Sequence, residues 1–220
     1  MPSVKEFILL HDAMARIPEN FRAAWLGEEG AQLTHAFAHR RNLVGNPIDG
    51  FAAGAYAGVA EYWRSDAASR LGACSLSRIP GVSTAESVHF LAEEFIIKEG
   101  RGAVKFMSIL RRKPGISPAE FSVAWRMHHP LVVRSVPEIW GRFRGYRQNH
   151  VLPGQCRHMD GREMARPIDG IVEIWFDSIE ELQATMMSER YREIIRPDEE
   201  TFVDLPNTRL FVTEEVVVAE

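Results

Sequence analysis

The alternation of apolar and polar positions is easiest to read in the second half of the chain. Residues 103–110 carry β-branched and aromatic side chains at strand density, and Lys113-Pro-Gly115 closes the run with turn chemistry. Ser117-Pro118-Ala119-Glu120 then places a Ser cap, a proline in the first helical position and a Glu three residues after the cap, so a helix starts there. Phe121, Trp125, His128 and Val132 follow at helical spacing, giving an apolar face that carries a histidine. Residues 146–152 and 168–176 read as two further strands, 178–195 as a second helix and 209–218 as a last strand. The order is βαββαβ, the split βαβ arrangement of an antiparallel sheet with both helices on one face.

The same pattern occurs twice. Pro18-Glu-Asn-Phe-Arg-Ala-Ala-Trp25 matches Pro118-Ala-Glu-Phe-Ser-Val-Ala-Trp125, Pro47-Ile-Asp-Gly50 recurs as Pro167-Ile-Asp-Gly170, and Phe90-Leu-Ala-Glu-Glu-Phe-Ile-Ile recurs as Phe211-Val-Thr-Glu-Glu-Val-Val-Val. Three matches in the same order predict a duplication with its seam near Gly100-Arg-Gly102. The first copy then has strands near 4–10, 32–40, 49–56 and 89–98. A lone sheet of this type leaves one face bare, and two fused copies can cover each other. The predicted fold class is therefore α+β: two tandem ferredoxin-like βαββαβ modules, 1–100 and 101–220, forming an α+β barrel within one chain.

Composition narrows the function. The formal charge is −4, with no basic surplus to neutralise phosphates, which argues against a nucleic-acid partner. No apolar run reaches the ~18 residues of a membrane span, and the N-terminus lacks a basic segment followed by an apolar one, so no membrane partner and a cytoplasmic location are expected. Cys74 and Cys156 fall in different copies and sit near no metal-ligand pair. His35 and His39 on the expected second strand are roughly 13 Å apart at Cα, too wide to share an ion easily; only a helical segment there would suit a metal. No metal site is assigned. No glycine-rich phosphate loop and no Gly-x-Ser-x-Gly elbow appear.

The segment from Phe106 to the C-terminus resembles the EthD family of the dimeric α+β barrel superfamily. The resemblance rests on Lys113-Pro-Gly-Ile-Ser-Pro-Ala-Glu-Phe-Ser-Val-Ala-Trp125, His129-Pro-Leu131, Tyr146-Arg-Gln-Asn-His150-Val, Asp169-Gly-Ile-Val-Glu-Ile-Trp-Phe176, Tyr191, Phe202-Val-Asp204 and Thr213-Glu-Glu-Val-Val-Val218. It implies a fold and a site more than one reaction. Family members and barrel relatives include cofactor-free decarboxylases, dehydratases, cyclases and monooxygenases acting on aromatic or polyketide-like compounds, a muconolactone-type isomerase, proteins of ether breakdown and, further off, haem binders.

Pro130 has no N–H for the carbonyl of Arg126, so the first helix is expected to end or kink there, with His128 and His129 in its last turn. A helix C-terminus favours a positive imidazole and burial opposes it, which makes both candidate proton carriers. The competing reading has one histidine capping the helix and the other satisfied in the core. His150 holds the second family position, beside Asn149, and only one of the two can face the helices. Glu173 and Trp175 share a strand face, as a carboxylate beside an indole; a structural pairing of Glu173 with an arginine is the alternative. At the repeat spacings, His128 and His129 fall on Glu28 and Glu29, and Glu173 and Trp175 on Ala53 and Ala55. This predicts that the first copy has lost the constellation and serves as scaffold, a second cavity being the alternative.

These readings converge on a cofactor-free lyase or isomerase that moves protons on a small aromatic or polyketide-like molecule. Its site would lie between sheet and helices of the second copy. His129, His150 and Glu173 are the expected catalytic residues, and Trp125, His128, Tyr146, Asn149 and Trp175 the expected substrate-binding ones. A non-catalytic binding or accessory protein and a cofactor-independent monooxygenase are the alternatives, with haem ligation by one histidine behind them. A homodimer of the fused pair is compatible with the fold.

Overall fold

The computed structural model describes residues 4–12, 38–44, 56–64 and 82–219. The first helix match at 18–25, Glu28, Glu29, His35, Pro47–Gly50, Ala53, Ala55 and Cys74 lie outside them. Eight strands are described: β1 Val4–Asp12, β2 Ala38–Val44, β3 Tyr56–Arg64, β4 Val82–Lys98, β5 Val104–Leu110, β6 Gly145–His158, β7 Gly170–Phe176 and β8 Arg209–Ala219. They form a closed antiparallel barrel in the order β1-β3-β2-β8-β5-β7-β6-β4. Within each half the fourth strand flanks the first, then come the third and the second. The halves join through β2–β8 and β4–β6, so closure leaves no free sheet edge among the described strands.

The helical segments of the second half lie over the outer face of β5–β8. They are α1 Pro118–Val123, a π turn Ala124–His128, α2 His129–Arg134, a short α3 Pro137–Trp140, α4 Ile179–Met186, a second π turn Tyr191–Ile195 and α5 Arg196–Phe202. The capping box forms as read: Glu120 N–H donates to Ser117 Oγ, and Ser117 N–H to the Glu120 carboxylate. The helix does not stop at Pro130. It absorbs the missing donor by widening into the π turn, in which the His129 N–H donates to the Ala124 carbonyl. The expected second helix over 178–195 is instead broken after Met186, where Ser188 Oγ accepts from the Tyr191 N–H and starts a new helical run.

Strand parity sorts the core into two layers. Phe106, Leu110, Tyr146, Val172, Ile174 and Phe176 face outward and pack on Phe121, Trp125, Val133, Leu182, Ile195 and Phe202 of the helical segments. Inside the barrel, Phe7, Leu9, Val59, Phe90, Met107, Ile109, Ile171 and Phe211 form a second apolar cluster from both halves.

The strand register corrects the expected match between halves. β2 begins at Ala38 and β3 at Tyr56, later than the 32–40 and 49–56 expected. Leu110 pairs with Gly170, and its counterpart Leu10 pairs with Gly58. Likewise Lys105 opposes Trp175 as Lys5 opposes Trp63, and Met107 opposes Glu173 as Phe7 opposes Glu61. Gly58-Val-Ala-Glu-Tyr-Trp63 therefore stands where Gly170-Ile-Val-Glu-Ile-Trp175 stands, and the counterparts of Glu173 and Trp175 are Glu61 and Trp63, not Ala53 and Ala55. The Pro-Ile-Asp-Gly repeat is displaced from the register; ladder pairing and the buried alternation set it.

Candidate functional site

Beneath the helices of the second half lies a cavity of about 280 Å³. Its sheet side is largely apolar, with Phe106, Val172 and Ile174, while Trp125, Val133 and Phe202 close it from the helices. Its polar groups include Ser108, His129, Tyr146, Tyr191, Arg196 and Glu199. Of the residues singled out by sequence, His129, Trp125 and Tyr146 line the cavity; His128, His150, Asn149, Glu173 and Trp175 do not.

His129 is buried, and its Nδ1 lies 2.6 Å from Asp198 Oδ2. With a carboxylate as acceptor, Nδ1 carries the proton, and Nε2 is the ring nitrogen left for chemistry. His128, one residue earlier, points outward. Its side chain is 70% exposed and its Nε2 is 3.7 Å from Asp198 Oδ1, beyond hydrogen-bond range.

His150 faces the helices but is locked within the wall. Its ring stacks on Trp125 at 4.3 Å between centroids, with Phe95 edge-on at 5.0 Å. The Gln148 amide NH2 donates to the Trp125 carbonyl and to the Tyr146 hydroxyl, each at 2.8 Å. Its Oε1 must then accept from His150 Nε2 at 3.2 Å, and His150 Nδ1 accepts from the Ser122 hydroxyl at 2.9 Å. Both ring nitrogens are committed, in the neutral form. Burial, helped by the charge of Arg126, pushes this imidazole down to about 3. His150, expected as catalytic, is thus packed against Trp125 and linked through Gln148 to Tyr146, away from the cavity lining. Gly170 is part of the same fit, since a Cβ there would collide with the Trp125 ring.

Glu173, Trp175 and Asn149 face the barrel interior, on the opposite side of the sheet from His129. Glu173 is fully buried, 2.5 Å from Lys5 Nζ and 2.6 Å from Lys105 Nζ, and it accepts from Asn149 Nδ2 at 2.8 Å. Burial alone would raise this carboxyl, but the two ammonium groups override it and hold it well below the usual carboxylate range. The pairing is with lysines rather than the arginine weighed from sequence. Lys5 also meets Glu61 at 2.5 Å and Glu94 at 3.3 Å, while Lys105 meets Glu215 at 2.7 Å and contacts Glu61. Each lysine therefore bridges glutamates of both halves.

Sequence reasoning did not single out Asp198, which holds the cavity histidine, or Glu199 of the cavity wall, and it noted Tyr191 of that wall only for its place in the resemblance. The Tyr191 hydroxyl donates to Glu199 Oε2 at 2.8 Å. A signal did exist, because Tyr191, Ile195, Glu199 and Phe202 fall at helical spacing, a carboxylate in an otherwise apolar stripe. Among the described residues no cluster of His, Cys, Asp or Glu suits a metal ion, and no helix is long and apolar enough to cross a membrane. The side chain of His39 and all of His35 lie outside those residues.

In the first half, Glu6, Tyr62 and His89 occupy the register positions of Phe106, Ile174 and Leu210. Glu6 is fully buried, with His89 Nε2 at 2.5 Å. At these three positions the first half is polar where the second half is apolar.

Among curated proteins, none matches the sequence. Solved structures share the fold along its length. One described as an "anthrone oxidase-like protein" covers 100% of this chain and 95% of its own, with a TM-score of 0.58 and 12% identity. A "putative monooxygenase" from Lactobacillus acidophilus NCFM covers 100% and 97%, with a TM-score of 0.54 and 10% identity. The barrel, curled from antiparallel strands with helices outside, is compatible with the dimeric α+β barrel fold, and residues 113–206, which carry most of the cavity lining and its histidine, match the EthD domain.

Proposed function

We propose that the chain is an enzyme that moves protons on a small, largely apolar aromatic or polyketide-like compound bound in the cavity of the EthD domain, as a lyase or isomerase. One observation carries this reading: a histidine walled into an apolar cavity, with Nδ1 held by a carboxylate and Nε2 left for the ligand. Asp198 orients the ring and offsets the imidazolium that forms when Nε2 takes a proton. At about 280 Å³ the cavity sits at the small end of the ~300–1,000 Å³ common for small-molecule sites. Replacing His129 by Gln should lower turnover of a converted substrate by roughly 100-fold to 10,000-fold with the fold intact, and replacing His128 should cost far less. Unchanged turnover in His129→Gln refutes the assignment.

A second reading, a cofactor-independent monooxygenase, draws on the descriptions of the structures that share the fold. Proton abstraction by His129 would then precede attack of O2 on the carbanion, and an oxygen electrode separates the two. We further infer that the halves, 1–100 and 101–220, are fused ferredoxin-like modules. Support comes from their identical strand order and the matched pairs Lys5/Lys105, Glu61/Glu173 and Trp63/Trp175. On this reading the first module keeps the barrel-interior residues and differs on its outer face.

A further inference from the structure

Two successive carboxylates of α5 do different things, one behind the cavity histidine and one in the cavity wall. Asp198 accepts from His129, while Glu199, the next residue of α5, accepts from the Tyr191 hydroxyl and itself lines the cavity. The charged groups of the cavity, His129, Arg196 and Glu199, stand on the helical wall, and the sheet opposite is uncharged and largely apolar. A ligand seated there presents one polar edge to His129 and Glu199 together and an apolar body to Phe106, Val172 and Ile174.

We propose that Glu199, braced by Tyr191, is the general acid that works against His129 as base, and that the substrate class is an enolisable carbonyl compound with a ring-bearing apolar body. This rests on the proton chemistry proposed for His129. The step balances without any co-reactant. Nε2 takes the proton from carbon next to the carbonyl, and the C–H pair becomes the new C=C bond. The carbonyl π pair moves to oxygen, which takes the Glu199 proton and gives the enol. Reversal returns a proton to carbon. Burial supports the role by pushing the Glu199 carboxyl up against the opposing pull of His129 from α2, Tyr191 from the π turn and Arg196 beside it, with Asp198 adding to the rise.

The test uses 2-tetralone in D2O, following loss of its C1 proton signal by NMR, with binding read from tryptophan fluorescence. The whole protein should accelerate exchange over buffer, with a rate that falls as pH rises and Glu199 ionises. Glu199→Gln should lower exchange at least 10-fold, keep the apparent Kd within about threefold and lose the alkaline limb. Tyr191→Phe removes a donor that favours the Glu199 carboxylate, so its alkaline limb should move to higher pH; this keeps the test alive if Glu199→Gln fails to fold. Wild-type exchange and an unchanged pH profile in Glu199→Gln, with exchange lost in His129→Gln, would overturn the general acid and leave the His129 reading standing. Full exchange in His129→Gln would instead overturn that reading. Saturable binding of 2-tetralone with no exchange by the wild-type protein would overturn the carbonyl substrate class.

Discussion

Replacing Lys105 by Met removes the cation that joins the two halves of the barrel from one side. Its ammonium contacts Glu61, lies 2.6 Å from Glu173 and 2.7 Å from Glu215, and stands 5.0 Å from the centre of the Trp175 ring. Met fills similar space, so the loss is of charge more than volume. Glu61 and Glu173, both fully buried, would be left sharing Lys5. Breaking a buried ion pair from one side costs about 3–5 kcal/mol, because the remaining charge is already out of water. For a chain of this length that is a fall in Tm of roughly 6–20 °C. Urea and thermal unfolding at pH 7 measure it. Adding Glu173→Gln to Lys105→Met should restore part of the loss, since one orphaned charge is then removed. A single variant within about 1 kcal/mol of wild type, or a double variant that only adds the two losses, would refute the view that the barrel centre is held by mutual compensation of charge.

Two further outcomes follow from the packing. His150 is held down to about 3 when folded, below its ordinary value of 6.5, so its contribution to stability is complete above pH 6.5 and is lost as pH falls toward 3. Stability should drop by up to ~1.4 kcal/mol per pH unit through this window from this group, and His150→Phe should flatten that slope in urea titrations at stepped pH. Residues 102–220 alone would expose the β6 and β8 edges that now pair with β4 and β2. The fragment should self-associate or fail to fold; a monomer with sharp, cooperative unfolding by sedimentation and circular dichroism would count against closure as the source of its stability.

What the sequence alone determined is local. The Ser117 capping box, the strand spans of the second half and the helical stripe that puts Trp125 and Phe121 in one face all depend on neighbours within a few residues, and spacing reports such neighbours directly. Parity also showed that Glu173 and Trp175 share a face and that only one of Asn149 and His150 can meet the helices. It did not show which face the helices cover, because a period of two is blind to the side on which the chain returns. Tertiary structure decided that: His150 went under the helices into a closed hydrogen-bond set, and Glu173 into the barrel among lysines drawn from both halves. It also decided the register of the first half, where a ladder of paired strands outweighed a four-residue identity. The contact of His129 with Asp198, 69 residues later, depends on two separate helical segments docking on one sheet. That docking is set by side-chain packing across the outer face, which no local pattern encodes.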